Sequence, residues 1–267
     1  MKIILTCIVL LSSLQYASAD ISLTYSDQLK KDKTGSVTYS IKNHQLNFTE
    51  AGQQKINIYN SKTQEFVSFD PSSGMRSTLN KQKLNQRVNQ LNIERMDTLK
   101  EVEAKLSKDL ESMTTAQQET AETLLNLYKY PEFYGEHTSL IIQSKGRSKV
   151  VNGISCKIYH LYKFTDLLKT FCFAEAESLK MSATEYKTLR NFYRFNYSMQ
   201  SRVLIAMGNT KFTFIDYDQH AMPGVLIEEI NYQKSTTAPL KASYHSSLLQ
   251  FSHQPLKDTV FSVNNTP

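Results

Sequence analysis

Two hydrophobic periods divide the chain. Between residues 21 and 69, apolar and polar residues alternate with a period of two, which is typical of strands that bury one face. Short polar turns separate the alternating segments. These segments are 21–25, 37–41, 46–48, 56–58 and 65–69. The pattern predicts an antiparallel β-meander with one apolar and one polar face.

The period lengthens to three or four between residues 75 and 130, where the chain contains neither Gly nor Pro. One helical stripe of apolar residues runs through this segment: Leu84, Val88, Leu91, Leu99, Val102, Leu106, Leu110 and Met113. Thr114 or Thr115, with a Gln three residues later, forms a capping-box pattern. We therefore predict helices over about 77–112 and 116–129, the second ended by Pro131.

Two roles are open for this helical segment. It can pack on the sheet as a lid, or it can present a coiled-coil surface to a partner. Exposure of Leu91, Leu99 and Leu106 would favour the partner surface over the lid.

The second half of the chain returns to strand patterns with one helix between them. Strands are predicted at 139–143, at 150–151, and in the two segments that carry Cys156 and Cys172. Ser182, with Glu185 three residues later, begins an aromatic helix that ends near Met207. Further strands are predicted at 225–232, 240–252 and 260–263. This order predicts one α+β domain over 20–267, with a helical insertion at about 75–130.

The first 19 residues have the features of a signal peptide. Lys2 precedes an apolar run over 3–14, and Ala17-Ser18-Ala19 is an A-x-A cleavage pattern. The run is too short to span a bilayer, and no later stretch approaches that length. We expect cleavage after Ala19 and an exported protein that does not span a membrane. It would be periplasmic in a Gram-negative cell and secreted otherwise.

The charge balance says little about which partner the protein binds. The chain has 31 basic and 25 acidic residues, a net charge of +6. No run of five like charges and no nucleic-acid motif is present, so we expect a mixed surface and no nucleic-acid partner. Contact with anionic lipid or polysaccharide at the cell envelope stays open.

Two cysteines remain after the predicted cleavage. Cys156 and Cys172 lie on adjacent predicted strands of an exported chain, where an even pair indicates a disulfide. Free thiols or a redox pair are the alternative, but the C-x-x-C spacing of redox motifs is absent. Cys156 shares its strand face with Ile154 and Ile158, so we expect a half-buried, structural bond.

The sequence carries no nucleophile motif of the G-x-S-x-G type and no H-E-x-x-H zinc motif. Asp216, Asp218 and His220 alternate at period two and could face one side of a strand as metal ligands. The other interpretation is a solvated bend before Pro223. We assign no catalytic residue, no metal ligand and no cofactor, and an enzyme is the weaker class.

Three motifs carry a resemblance to a known family. They are Val-Asn-Gly-Ile-Ser-Cys-Lys-Ile-Tyr at 151–159, Phe-Cys-Phe-Ala at 171–174, and Met-Pro-Gly-Val-Leu-Ile at 222–227. With the preceding β-meander and helices, they resemble uncharacterised periplasmic proteins related to the LolA and LolB lipoprotein-carrier superfamily. The resemblance implies a curved, incomplete antiparallel barrel (a half-barrel) covered by helices. Its apolar concave side would hold acyl chains. The long segment at 75–130 departs from that pattern.

These observations lead to one expected function and two alternatives. We expect a non-catalytic exported protein that binds a hydrophobic or amphipathic ligand, such as lipid or lipoprotein acyl chains, or an envelope protein. The first alternative is a structural or interaction protein of the envelope that acts through its long helix. The second is a hydrolytic or metal-dependent enzyme built on Asp216, Asp218 and His220.

Overall fold

One large sheet and a set of helices make up the fold. The computed structural model describes residues 20–30, 33–109, 112–134, 140–209, 223–233 and 241–263. Within these residues it contains eleven strands in one open antiparallel sheet and four α-helices, which gives an α+β fold.

The strands are β1 (Ile21–Lys30), β2 (Lys33–Lys42), β3 (Gln45–Glu50), β4 (Ile56–Asn60), β5 (Glu65–Asp70), β6 (Met75–Leu79), β7 (Leu140–Val151), β8 (Ile154–Lys163), β9 (Asp166–Ala174), β10 (Val225–Gln233) and β11 (Lys241–His253). The α-helices are α1 (Lys81–Asp109), α2 (Thr115–Lys129), α3 (Pro131–Tyr134) and α4 (Ala183–Ala206). Two short 3₁₀ helices lie at Ala176–Leu179 and Asp258–Phe261.

The sheet consists of two meanders joined in its middle. The strand order is β6-β5-β4-β3-β2-β1-β11-β10-β9-β8-β7. The first described strand therefore pairs with the last one, and each meander runs outward from that pair to an edge. The predicted N-terminal meander of alternating strands is confirmed.

Alternation along β1 and β2 separates a core face from a polar face. Ile21 pairs with Ile41 and Leu23 with Tyr39 on the core face. On the other face the Thr24 and Thr38 hydroxyls lie 3.0 Å apart. This is the arrangement expected when one side of an antiparallel pair is buried and the other faces water.

Helix α4 covers the core face of the first meander. Its predicted capping box is present: Ser182 accepts a hydrogen bond from the Glu185 amide, and Glu185 accepts one from the Ser182 amide. The Phe192 ring lies between 5.6 and 6.0 Å from the rings of Tyr39, Phe48 and Tyr59 on β2, β3 and β4. These aromatic contacts bury the helix stripe against the sheet.

Contacts across the second meander require the sheet to bend. Asn152, in the turn between β7 and β8, donates a hydrogen bond to the Leu248 carbonyl on β11 at 2.6 Å. Lys149 on β7 forms an ion pair with Glu228 on β10. In a flat sheet β8 and β11 would be three strand spacings apart, about 14 Å. An Asn side chain cannot bridge that distance, so this half of the sheet is curved.

Cys156 and Cys172 are at disulfide distance on β8 and β9, with their Cα atoms 5.3 Å apart. The half-buried setting expected for them is wrong, because they are only 2% and 0% exposed. Strand β9 is buried on both faces from Thr170 to Ala174, which includes Cys172, and Cys156 lies on the buried face of β8 beside Ile154.

Three element predictions are wrong. The helix predicted from about residue 77 begins at Lys81, because Met75–Leu79 forms the edge strand β6 beside β5. Asn80 caps the helix by accepting a hydrogen bond from the Lys83 amide at 3.0 Å. No strand forms at 260–263, because residues 260 and 261 belong to the 3₁₀ helix Asp258–Phe261. The two short strands predicted at 139–143 and 150–151 are one strand, β7, that contains an irregularity in its pairing.

Of the two roles left open for the helical segment, a lid packed directly on the sheet does not describe its main contact. Leu84, Val88 and Leu91 of α1 cluster with Met199, Val203 and Ala206 of α4. The sheet contributes only Leu79, at the end of β6, to this cluster. Helix α1 therefore covers the C-terminal half of α4, and α4 covers the sheet.

Candidate functional site

An apolar groove lies between α1 and α2 and encloses about 390 Å³. Its lining consists of Thr98, Leu99, Val102, Leu106, Ala121, Leu124, Leu125, Leu127 and Tyr128. No charged residue lines this α1–α2 groove within the part of the chain that the structure describes. The groove can therefore bury apolar surface, but its lining offers no acid–base chemistry.

The groove arises because the apolar stripe of α1 continues beyond its contact with α4. Leu99 is 1% exposed, whereas Val102, one turn further on, is 45% exposed. Helix α2 returns antiparallel to α1 and presents Leu124, which is 61% exposed. No residue of α2 is fully buried. Two apolar stripes thus face each other without filling the space between them.

The C-terminal end of α2 is fixed to its neighbours. The Arg95 guanidinium donates hydrogen bonds to the Tyr128 carbonyl and, at 3.3 Å, to the Lys129 carbonyl. The Tyr128 ring packs on Gly208, where an added Cβ would lie 2.9 Å from a ring carbon. These contacts join α2 to α1 and to the end of α4, and they close one end of the α1–α2 groove.

The N-terminal end of α2 begins at the predicted capping box. Thr114 accepts a hydrogen bond from the Gln117 amide at 3.4 Å, and Gln117 accepts one from the Thr114 amide at 2.9 Å. This part of the sequence prediction is confirmed. The cap fixes where α2 starts, and hence which of its residues face α1.

A second cavity, of about 310 Å³, lies where α1 begins against α4 and the turn between β4 and β5. We call it the cationic cavity. It is lined by Tyr59, Gln64, Lys81, Leu84, Asn191, Arg194, Phe195, Ser198 and Arg202. Arg202 donates a hydrogen bond to the Asn85 side chain at 2.8 Å, which holds its guanidinium at the wall shared by α1 and α4.

Tyr59 forms the buried floor of the cationic cavity. Its hydroxyl donates a hydrogen bond to the Asn191 carbonyl at 3.3 Å. Burial raises the pKa of Tyr59 to about 12, although the nearby Arg194 charge acts in the opposite direction. The hydroxyl is therefore neutral at physiological pH and adds no negative charge to the cavity.

Asp216, Asp218 and His220, which were considered as metal ligands but not assigned, lie outside the described residues. Among the residues that are described, no group of three or more His, Cys, Asp or Glu side chains is arranged to hold a metal ion. Glu228 is a buried carboxylate that forms an ion pair with Lys149 and lies 3.1 Å from the His245 ring nitrogen Nε2. These contacts join β7, β10 and β11.

The sequence interpretation missed the cationic cavity. Lys81 lies more than 100 residues before Arg194 and Arg202, and those two are not adjacent, so a search for runs of like charge does not find the three cations. The spacing of the α4 cations gives a usable signal, because Arg190, Arg194 and Arg202 are separated by multiples of four residues. Residues four apart lie on one face of a helix, and residues eight apart, such as Arg194 and Arg202, are offset by about 80° around it.

Comparison with known proteins gives no family. No protein-family model matches the chain, and no curated protein matches it. A solved structure described as "Structure of PNGF-II in C2 space group" aligns with a TM-score of 0.36 and 7% sequence identity. The alignment covers 92% of this chain and 30% of that one. A TM-score of this size does not establish a shared fold.

No helix within the described residues combines the length and apolar character that crossing a membrane requires. The longest, α1, has 29 residues but alternates its apolar stripe with Lys, Arg, Glu, Asn and Gln.

Proposed function

We propose that this is an exported, non-catalytic protein that holds the apolar part of an amphipathic molecule in the α1–α2 groove. The acyl chain of a lipid or lipoprotein is the ligand class that fits. The observation that carries the proposal is the apolar lining between the two helices, which the chain's own side chains leave unfilled. Apolar concave sites of a few hundred Å³ are the usual form of small-ligand pockets.

The composition of the lining favours an acyl chain over a polar ligand. Val102 and Leu124 are exposed to solvent. Exposed apolar surface is unfavourable in water, and an inserted hydrocarbon chain would cover it. The groove runs between two helices, of which α2 is fixed to its neighbours at its C-terminal end. A flexible chain can follow such a groove without needing matched hydrogen-bond partners.

The proposed site differs from the apolar face of the sheet on which the family resemblance centres. Side chains of α4, including Leu189 and Phe192, occupy that face. We include in the proposal that the bent sheet is a half-barrel of the lipoprotein-carrier type, with its ligand site moved to the long helical segment. The bend and the helical cover support this view.

The alternative of an envelope partner bound along the long helix has less support. That hypothesis needs Leu91, Leu99 and Leu106 to be exposed, but Leu91 and Leu99 are buried. Leu106 is only partly buried. The enzyme alternative depends on Asp216, Asp218 and His220, which lie outside the described residues.

Replacing Leu124 with glutamate should weaken acyl-chain binding. Leu124→Glu places a charge in the α1–α2 groove, where hydrocarbon cannot solvate it. We expect at least tenfold weaker binding of cis-parinaric acid, measured by fluorescence titration. Because Leu124 is mostly exposed, the variant should fold normally.

The matched control is Ile93→Glu. Ile93 is an equally exposed apolar residue on α1 that does not line the groove. This variant should bind the probe like the unmodified protein. Mass spectrometry of the purified protein should also detect a co-purifying lipid. Protein that is reproducibly empty and that ignores the probe would contradict the proposal.

Export can be tested separately from binding. Expression of the full chain in a Gram-negative host should give a periplasmic product whose intact mass corresponds to a chain that starts at Asp20. A product that retains residues 1–19 and stays in the cytoplasm would contradict the signal-peptide assignment, whatever its ligand.

A further inference from the structure

Seven basic residues and no acidic ones occur in two helical segments, 81–93 and 186–206. They are Lys81, Lys83, Arg87, Lys187, Arg190, Arg194 and Arg202. Without these seven, the 31 basic residues of the chain fall to 24, against 25 acidic residues. These two segments, bordered by Glu94 and Glu185, carry seven positive charges, and the remainder of the chain is close to neutral.

The fold brings the two segments together. The N-terminal half of α1 packs on the C-terminal half of α4, with Leu84, Val88 and Leu91 against Met199, Val203 and Ala206. The hydrogen bond from Arg202 to Asn85 fixes the same alignment. The cationic cavity opens at this junction.

Three cations line the cavity from two helices: Lys81, Arg194 and Arg202. No carboxylate lines it within the described part of the chain. The amide groups of Gln64 and Asn191 and the Ser198 hydroxyl complete a wall of hydrogen-bonding groups. A cleft lined by charge of one sign concentrates ions of the opposite sign.

The first turn of α1 adds to the positive electrostatic potential in the cationic cavity. Lys81 is its first residue, and the turn contains no acidic side chain. The positive end of the helix dipole therefore points toward the cavity without a carboxylate to offset it. The floor is apolar in part, because the rings of Tyr59 and Phe195 lie in contact with centroids 5.3 Å apart.

We propose that the cationic cavity binds a small molecule that carries more than one phosphate group. Guanidinium groups suit phosphate because they offer paired donors in a fixed geometry. Arg194 and Arg202 are eight residues apart on α4, a rise of about 12 Å along the helix. Two separated cationic centres favour a ligand with two anionic groups over a single inorganic phosphate.

This site is distinct from the α1–α2 groove. Leu84, at the cationic cavity, and Thr98, at the groove, are 14 residues apart on α1, a separation of about 21 Å. Failure of the acyl-chain proposal would therefore leave the phosphate proposal standing, and the reverse holds as well.

The test is calorimetric titration of the purified protein with inorganic pyrophosphate and with fructose 1,6-bisphosphate, in about 0.15 M NaCl to screen weak surface attraction. At least one should bind saturably at one site per chain. Vesicles of cardiolipin, whose headgroup carries two phosphates, and of phosphatidylcholine form a third arm, which determines whether a lipid headgroup supplies the phosphate groups.

The double variant Arg194→Gln with Arg202→Gln should bind the successful probe at least tenfold more weakly. The control is Arg76→Gln with Arg147→Gln, which removes the same charge from exposed positions on β6 and β7. The control should bind normally. Lys81→Gln, at an exposed position, provides a second variant if the first pair perturbs folding.

Two results would overturn the proposal. One is the absence of saturable binding by both soluble probes and by anionic vesicles. The other is an equal loss of affinity in the control pair, which would show that only net charge matters. Vesicle binding that depends on Arg194 and Arg202, without binding of the soluble probes, would support the site and identify a lipid headgroup as its ligand.

Discussion

Gly224→Ala should destabilise the protein by about 3 kcal/mol, because no space exists for a methyl group at this position. A Cβ on Gly224 would overlap the carbonyl oxygen of Ala174 and lie 2.9 Å from its carbonyl carbon. Both partners are backbone atoms in or beside paired strands, since Val225 of β10 pairs with Ala174 of β9. The clash cannot be relieved by a side-chain rotation. It must separate the two strands.

Thermal unfolding followed by circular dichroism measures this effect. For a chain of this size, 3 kcal/mol corresponds to a fall in Tm of roughly 6–12 °C. Gly146→Ala is the control, because an added Cβ there meets nothing within 4 Å. Its positive φ of 62° still strains alanine, at a cost of about 1–2 kcal/mol. Equal losses in the two variants would show that the close approach at Gly224 is unimportant.

Gly224 also shows which kinds of glycine can be explained from the sequence and which cannot. The Met-Pro-Gly segment at 222–224 contributes to a family resemblance by its letters alone. The physical reason for the glycine is a contact with Ala174, 50 residues earlier in the chain. Local rules detect glycines that turns require, but a close approach between distant strands is visible only in the fold.

The elements that local physics determines were predicted well. The alternating N-terminal strands follow from period-two patterning, and both capping boxes lie at the predicted positions, Thr114 and Ser182. Strand β6 was missed because Met75-Arg76-Ser77-Thr78-Leu79 is short, lies at the sheet edge and has weak alternation. Asn80 was the local signal for the strand-to-helix boundary, since Asn is a favoured N-cap residue.

The packing of the helices and the sheet against one another could not be predicted from these local patterns. The apolar stripe of α1 is compatible with packing on a sheet or on another helix, because both surfaces are apolar. The choice of α4 as its partner depends on Met199, Val203 and Ala206, which form a second stripe on the same helix that covers the sheet. A helix with two apolar faces can form the middle layer of a three-layer arrangement.

The candidate sites could not be predicted for the same reason, since they depend on how the helices pack against one another. The stripe that lines the α1–α2 groove was recognised, yet whether its leucines would be buried or exposed depended on how far α4 extends beside α1. The buried Leu99 and the exposed Val102 mark that boundary. The cations of the cationic cavity come from α1 and α4, more than 100 residues apart in the chain, so the sequence shows the spacing of the α4 cations but not that Lys81 joins them.

Removing both cysteines, as Cys156→Ala with Cys172→Ala, should lower the free energy of unfolding by about 3 kcal/mol. The predicted disulfide closes a loop of 15 intervening residues, and the loss of that constraint stabilises the unfolded chain. Guanidinium unfolding with and without reductant measures the effect. If thiol labelling of the denatured, unreduced mature protein modified both residues, the predicted bond would not exist.

Reduced wild-type protein separates the cross-link from the packing around it. Cys156 and Cys172 are both buried, so truncation to alanine also removes van der Waals contacts with their neighbours. Reduction breaks the bond but keeps both sulfur atoms, so its effect reports the cross-link alone. The alanine pair should therefore be less stable than the reduced protein, which in turn should be less stable than the oxidised one. If reduction left the free energy of unfolding unchanged while the alanine pair lost stability, the two cysteines would stabilise the sheet by packing only.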